Sequence, residues 1–274
     1  MALWDSANLL RFLSYAKGAK MLLELSEISK HFGGIQAISP TTFSVQKGEI
    51  FGLIGPNGAG KTTMFNIITG AYAPSAGRVR FDGGDITKIN GNKRIYLGIA
   101  RTFQNIRLFS SMSVLENVLI GMNGSFKYSF LEAAFHIGRY HKAEREARQK
   151  ALELLDELGL SAYANESATS LSYGVQRKVE IARALASQPK LLMLDEPAAG
   201  MNPAESDELA TLMLRLRQER GLSILLIEHD MKFVNRLCER VLVLDYGKVI
   251  FEGTPSDAIT HEDVVAAYLG DFEC

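Results

Sequence analysis

An apolar run, Ile50–Ile54, leads through Gly55, Pro56, Asn57, Gly58, Ala59 and Gly60 to Lys61, Thr62 and Thr63, where a helical spacing of apolar residues begins. The pattern is GxxxxGK[ST] between a strand and a helix, and it constrains the fold more than any other segment. Its glycines let the backbone curl until several N–H groups point inward, and the helix behind them adds the positive end of its dipole. Such a loop is built to hold a polyphosphate. Lys61 is expected on the β- and γ-phosphates, the Thr62 hydroxyl on Mg²⁺, and the Thr63 hydroxyl on the α-phosphate.

Beyond Met21, short strands alternate with amphipathic helices, the pattern of an α/β protein with a largely parallel central sheet. Strands are expected at Leu22–Ile28, Ile35–Val45, Ile50–Ile54, Leu191–Leu194, Ser223–Ile227 and Val241–Leu244. Gly77–Asp82 with Gly83 and Gly84 reads as part of a hairpin, hence an antiparallel piece attached to the main sheet. Helices are expected at about Lys61–Thr69 and after Pro203. The stretch from about Ile106 to Leu185 has no strand pattern and reads as helical. Within it His141–Gly159 is charged, with apolar Leu152, Leu155 and Leu158. The i,i+4 pairs Glu144–Arg148 and Glu146–Lys150 mark a solvated face.

Composition narrows the classes of function. The 274 residues carry 30 Lys+Arg against 31 Asp+Glu, so no broadly basic face is expected and nucleic acid is not an expected partner. The two cysteines, Cys238 and Cys274, form no CxxC, which fits a reducing compartment. No apolar stretch approaches the ~18 residues of a membrane-spanning helix. Residues 1–20 lack the basic start and continuous apolar core of a secretory signal. Two readings of this extension stand: a short amphipathic helix on a membrane or partner, or a leader ahead of a start at Met21.

The strand Leu191–Leu194 ends in Asp195 and Glu196. Two carboxylates at the C-terminal end of a buried strand supply what the phosphate loop lacks. Asp195 is expected to hold Mg²⁺ through a water, and Glu196 to polarise the water that attacks the γ-phosphate. The competing reading of the pair is a cap for the next helix.

Upstream of this strand, Leu171, Ser172, Tyr173, Gly174, Val175 and Gln176 precede an amphipathic run. The segment resembles the LSGGQ signature of ATP-binding cassette (ABC) proteins, with Tyr173 in place of the first signature glycine. A serine side chain and glycine N–H groups at a helix start form an anion site, so Ser172 and Gly174 are expected to grip a γ-phosphate; an ordinary N-capped helix is the alternative. The resemblance implies further roles in chain order. Gln104, in Arg101-Thr-Phe-Gln104, resembles the Q-loop glutamine that touches Mg²⁺ and water and senses the transport partner. His229, in Ile227-Glu-His229-Asp, resembles the switch histidine that contacts the γ-phosphate. Phe32 resembles the aromatic stacked on adenine, with a core position as its alternative. Asn202 falls in the D-loop, which acts across a subunit interface.

The resemblance covers Met21 to the C-terminus. It implies one ABC nucleotide-binding domain over 21–274: a P-loop NTPase (RecA-like) core, an antiparallel β subdomain and an α-helical subdomain at about 106–185. It also implies ATP and Mg²⁺ as cofactors, and an ATPase in which two cassettes pair head to tail so that Lys61 of one and Ser172 of the other meet the same γ-phosphate. The wording of Arg101–Phe109, Met112–Ile120, Glu196–Gly200 and Ala267–Gly270 is similar to the ATP-binding subunit of branched-chain amino acid importers, whose relatives move urea or short amides. The partners so implied are transmembrane permease subunits, a second and non-identical cassette (a homodimer in isolation), and a periplasmic or extracellular solute-binding protein. The implied place is the cytoplasmic face of the plasma membrane, peripherally bound and soluble when isolated. The rivals are an exporter cassette, a non-transport cassette acting on ribosomes or DNA, and a P-loop kinase or RecA-like motor. Balanced charge and a single compact chain count against the second, and the Ser172 segment has no purpose in the third.

Overall fold

The computed structural model describes residues 20–122 and 140–270. The extension before Lys20, the part of the helical stretch at 123–139, and Cys274 lie outside the described residues. Met21–Phe32 (β1) and Ile35–Gln46 (β2) form a long antiparallel hairpin. Ile50–Ile54 (β3) leads into Lys61–Ile68 (α1). Ala76–Phe81 (β4) and Gly84–Asp85 (β5) complete a four-stranded sheet in the order β2-β1-β4-β5. After Gly91–Arg94 (α2) and the three-residue strand Ile99–Arg101 (β6) come Val114–Gly121 (α3), Tyr140–Glu157 (α4) and Tyr173–Leu185 (α5). The chain then returns to Leu191–Asp195 (β7), Pro203–Arg220 (α6), Ser223–Ile227 (β8), Met231–Leu237 (α7), Arg240–Asp245 (β9), Lys248–Gly253 (β10), Pro255–Thr260 (α8) and Glu262–Gly270 (α9). The second sheet has the order β10-β9-β3-β8-β7-β6, parallel throughout except for β10. Among the described residues no helix is long and apolar enough to cross a membrane.

The parallel strands are apolar on both faces because both faces are covered. In β3, Ile50 and Ile54 face one core while Phe51 and Leu53 face the other. β7 divides in the same way, Leu192 and Leu194 against Leu191 and Met193, as does β8, Ile224 and Leu226 against Leu225 and Ile227. The first core is closed by α3 to α7, and the second by α1 and the antiparallel sheet. In the charged stretch, Ala147, Ala151, Leu154, Leu155 and Leu158 are buried at helical spacing, while Leu152 sits on the exposed side. Lys142 and Glu146 pair on the solvated face. β6 and β10 are absent from the expectations: three residues are too few to display a period, and Lys248–Gly253 is only half-buried and pairs locally across a tight turn.

Arg94 is buried. Its Nη1 donates to Ile67 O (2.8 Å) and Ile68 O (2.7 Å), the last carbonyls of α1, while Nε donates to Ile89 O and Nη2 to Ile86 O. A cation thus closes the negative end of the helix whose other end faces the phosphate loop. Burial pushes its pKa down to about 10, which leaves it charged at neutral pH. Arg94→Leu removes five donations to buried and part-buried carbonyls, the fifth a longer one from Nη2 to Thr87 O at 3.4 Å, and is expected to destabilise the chain by about 3 kcal/mol or more in urea unfolding; a loss below about 1 kcal/mol would contradict this role.

Candidate active site

Ile227 in β8 is in register with Leu53 in β3 and with Asp195 in β7. The loops that follow these three strands therefore leave the sheet at one level, on the carboxyl edge where open α/β sheets bind ligands. The phosphate loop is held there on two sides. A Cβ at Gly55 (φ 143°) would fall 2.0 Å from Leu244 O in β9, and one at Gly60 (φ 102°) 2.9 Å from Ala37 O in β2. Neither position admits a side chain. Gly247 N–H donates to Ala59 O (3.0 Å), which ties the β9–β10 turn to the loop. Gly55, Pro56 and Ala59 are buried, whereas Asn57 and Gly58 are exposed at the tip. Lys61 is buried and its Nζ donates to Gly55 O (2.6 Å) and Pro56 O (2.7 Å), so the ammonium lies inside the loop's curl. Thr62 is exposed and Thr63 half-buried on the first turn of α1.

At the end of β7, Asp195 is buried with Oδ2 3.3 Å from Arg101 Nη2. Arg101 Nη1 donates to Asn66 Oδ1 on α1 (2.7 Å), so one guanidinium joins the acid strand to the phosphate-loop helix. Burial raises the Asp195 carboxyl above its ordinary value and the Arg101 charge opposes that rise. Glu196 adopts φ 47°, a left-handed conformation uncommon for a side chain of this size. Its N–H donates to Ile227 O (2.9 Å), which fixes the turn. Glu196 Oε2 accepts from Gln104 Nε2 (2.9 Å), and Oε1 lies 3.9 Å from His229 Nδ1. The two acids do not cap the next helix. Asn202 does that, accepting from Glu205 N–H (3.0 Å) while the Glu205 carboxylate accepts from Asn202 N–H. The Asn202 side chain, expected in a segment acting across a subunit interface, is thus engaged within its own chain.

Ser172 is the N-cap residue of α5 by position, yet its side chain accepts no capping bond and it is exposed. Gly174 is buried against Glu205. Phe32 is 43% exposed, edge-on to Tyr72 with ring centroids 5.3 Å apart and Lys30 Nζ 4.8 Å from its own ring centre, so the core alternative for Phe32 is discarded. The structure gathers Gly55–Thr63, Gln104, Asp195, Glu196 and His229 around one edge. Ser172 and Gly174 open α5, which holds the backbone of Phe103 and Gln104 through Arg177.

Four polar residues at this edge carry no assignment in the sequence reading. Arg101 is one. Glu228 is buried, its Oε1 accepting from Ala198 N–H (3.0 Å) and Oε2 from His229 N–H (3.1 Å), and burial pushes its carboxyl up. Arg177 and Glu180 form a fully buried ion pair at 2.7 Å. Removing one member of such a pair costs about 3–5 kcal/mol, because the other charge is left without compensation. The only available signal was a charged residue at an otherwise apolar helical position, visible for Arg177 and Glu180 on α5.

Thr62, Asp195 and Gln104 offer a hydroxyl, a carboxylate and an amide oxygen, hard donors suited to Mg²⁺. The Gln104 nitrogen is engaged by Glu196, which leaves its oxygen as the end for a cation. Among the described residues no group of three or more His, Cys, Asp or Glu is placed to hold a metal ion.

Comparisons with known proteins agree with this geometry. A profile of the family described as ABC transporter matches residues 38–199. The chain is 42% identical over 253 residues to the high-affinity branched-chain amino acid transport ATP-binding protein BraF of Pseudomonas aeruginosa, covering 92% of this chain and 99% of the relative. It is 40% identical over 250 residues to LivG of Escherichia coli, a protein of the same description, covering 91% and 98%. Among solved structures, the ADP conformation of MJ1267, an ATP-binding cassette of an ABC transporter, superposes with a TM-score of 0.80 at 35% identity, covering 91% of this chain and 99% of that one. MJ0796, a bacterial ABC transporter cassette solved as a dimer, gives 0.72 at 27% identity, covering 85% and 99%. A phosphate loop clamped between β2 and β9, an acidic strand end beside it and these relatives have one reading: the chain belongs to the ABC transporter family, as an ATP-binding cassette with ATPase activity.

Proposed function

We propose that this chain powers a branched-chain amino acid importer, and that the edge described above is half of a composite ATP site. The observation that carries the reading is the contact of Gln104 with Glu196 at 2.9 Å, with His229 3.9 Å away on the other oxygen. A carboxylate held between an amide and an imidazole, on the same sheet edge as the buried lysine of a phosphate loop, is an arrangement that suits a water-activating base. The substrate class is supported by the names of BraF and LivG.

In this reading the N–H groups of Gly55 to Gly60 and the Lys61 ammonium take the phosphate charge, Thr63 reaches the α-phosphate, and Phe32 stacks on adenine. Thr62, Asp195 and Gln104 hold the metal. Mg²⁺ held by these residues would offset the negative charge of the phosphates. Glu196 accepts a proton from the attacking water, and His229 steadies the γ-phosphate as charge develops on it. Ser172 and Gly174 complete the site from the partner cassette; the exposed Ser172 hydroxyl, unused as a cap, supports this. The functional domain then spans 21–274 with its helical subdomain at 106–185. Its partners are permease subunits, a second cassette and a solute-binding protein, with the chain docked on the cytoplasmic face of the membrane.

Glu196→Gln is expected to keep ATP binding, to lower kcat by about 100-fold or more and to accumulate closed dimers on size exclusion with Mg²⁺-ATP; normal turnover would refute the assigned base. Hydrolysis per chain should rise with protein concentration and vanish on chelation of Mg²⁺. A full rate from dilute monomer would contradict the composite site. Cells expressing the chain with its permease should take up leucine, isoleucine and valine, and lose that uptake with Glu196→Gln. ATP-dependent uptake of urea or a short amide instead would reassign the substrate.

A further inference from the structure

Tyr173 occupies a signature glycine position, and its side chain reaches two other segments of the site. Its hydroxyl accepts from Arg177 Nη2 at 3.0 Å. The same guanidinium donates to Gln104 O and Phe103 O, both at 2.7 Å. Glu180, paired with Arg177, accepts from the N–H groups of Phe103 and Arg107 at 3.4 Å. The loop that aims Gln104 at Glu196 is thus held at two carbonyls and two N–H groups by one buried ion pair. On its other side the Tyr173 ring lies against Gly200, where a Cβ would meet Cε1 at 3.5 Å. Gly200 closes the short loop that begins at Glu196, with Ala199 N–H bonded to Glu196 O.

We propose that Tyr173 is a positioning residue that couples the signature serine next to it to the two loops that place Glu196. The inference rests on the composite-site reading. Ser172 faces the nucleotide of the partner cassette in that reading, while Gln104 and Glu196 serve the nucleotide of their own. A shift of Ser172 on closing therefore moves Tyr173 against Gly200 and pulls on Arg177, and the base of one site responds to the occupancy of the other.

Arg177 is a poor test, because its loss leaves the buried Glu180 with only the more distant Arg183, at 3.9 Å, as a basic partner. Tyr173→Phe keeps the ring and removes one charge-assisted bond; Tyr173→Gly restores the family's residue and removes both contacts. In the full chain, Tyr173→Phe is expected to lower kcat about fivefold and Tyr173→Gly about 20-fold, with KM for ATP unchanged. Hydrogen exchange at the amides of Phe103, Arg107, Ala199 and Met201 should speed up about tenfold or more in Tyr173→Gly. Wild-type turnover in Tyr173→Gly, or a fall in kcat with unchanged exchange at those four amides, would overturn the coupling. Wild-type protein whose hydrolysis is independent of dimerisation would instead sink the composite-site reading, and this inference with it.

Discussion

Ile227 of β8 stands level with Leu53 of β3 on one side and with Asp195 of β7 on the other, and the site exists because of that register. A parallel ladder spaces its hydrogen bonds evenly, so the strands end together and their loops meet on one edge. Packing on both faces fixes the alternation of Leu192 and Leu194 against Leu191 and Met193, and a slip of one residue would invert every one of them. The cost of such an inversion is what holds Gly55, Glu196 and His229 within reach of one another. The apolar strands thus do their functional work at a distance, by setting where polar loops begin.

The polar side chains at this edge are met largely by partners inside the chain. Asp195 has Arg101, Glu180 has Arg177, and Glu228 has two backbone N–H groups. Lys61 donates to two carbonyls of its own loop, and Glu196 meets the Gln104 amide and the His229 imidazole. The left-handed φ of Glu196 belongs to the same arrangement: the strand continues only as far as Asp195, and the turn aims the next carboxylate toward Gln104.

Much of this was legible in the sequence because the signals are local. Gly55–Thr63 is contiguous, Asp195 and Glu196 end an unbroken apolar run, and the signature segment lies at a helix start. Gln104 and His229 needed the order of family motifs, since a lone glutamine or histidine says little. The residues that escaped are joined across long separations. Arg94 finds the end of α1, Arg101 finds both Asn66 and Asp195, and Arg177 finds the backbone at Phe103 and Gln104. Apart from a charge at an otherwise apolar helical position, as at Arg177, a charged residue looks the same in sequence whether it ends in water or in a ring of carbonyls, and the fold tells the two apart. Leu152, by contrast, is an apolar residue in an amphipathic helix that ended on the exposed face, a common outcome that periodicity over three leucines does not resolve.

The central claim is that a complete ATP site needs two chains. A structure of the Glu196→Gln protein with Mg²⁺-ATP tests it most directly. The account predicts a head-to-tail dimer in which each γ-phosphate lies between Lys61 of one chain and Ser172 of the partner subunit, with Gln104 at the metal and Phe32 on the adenine. A nucleotide fully enclosed by a single chain, with Ser172 left in solvent, would contradict it.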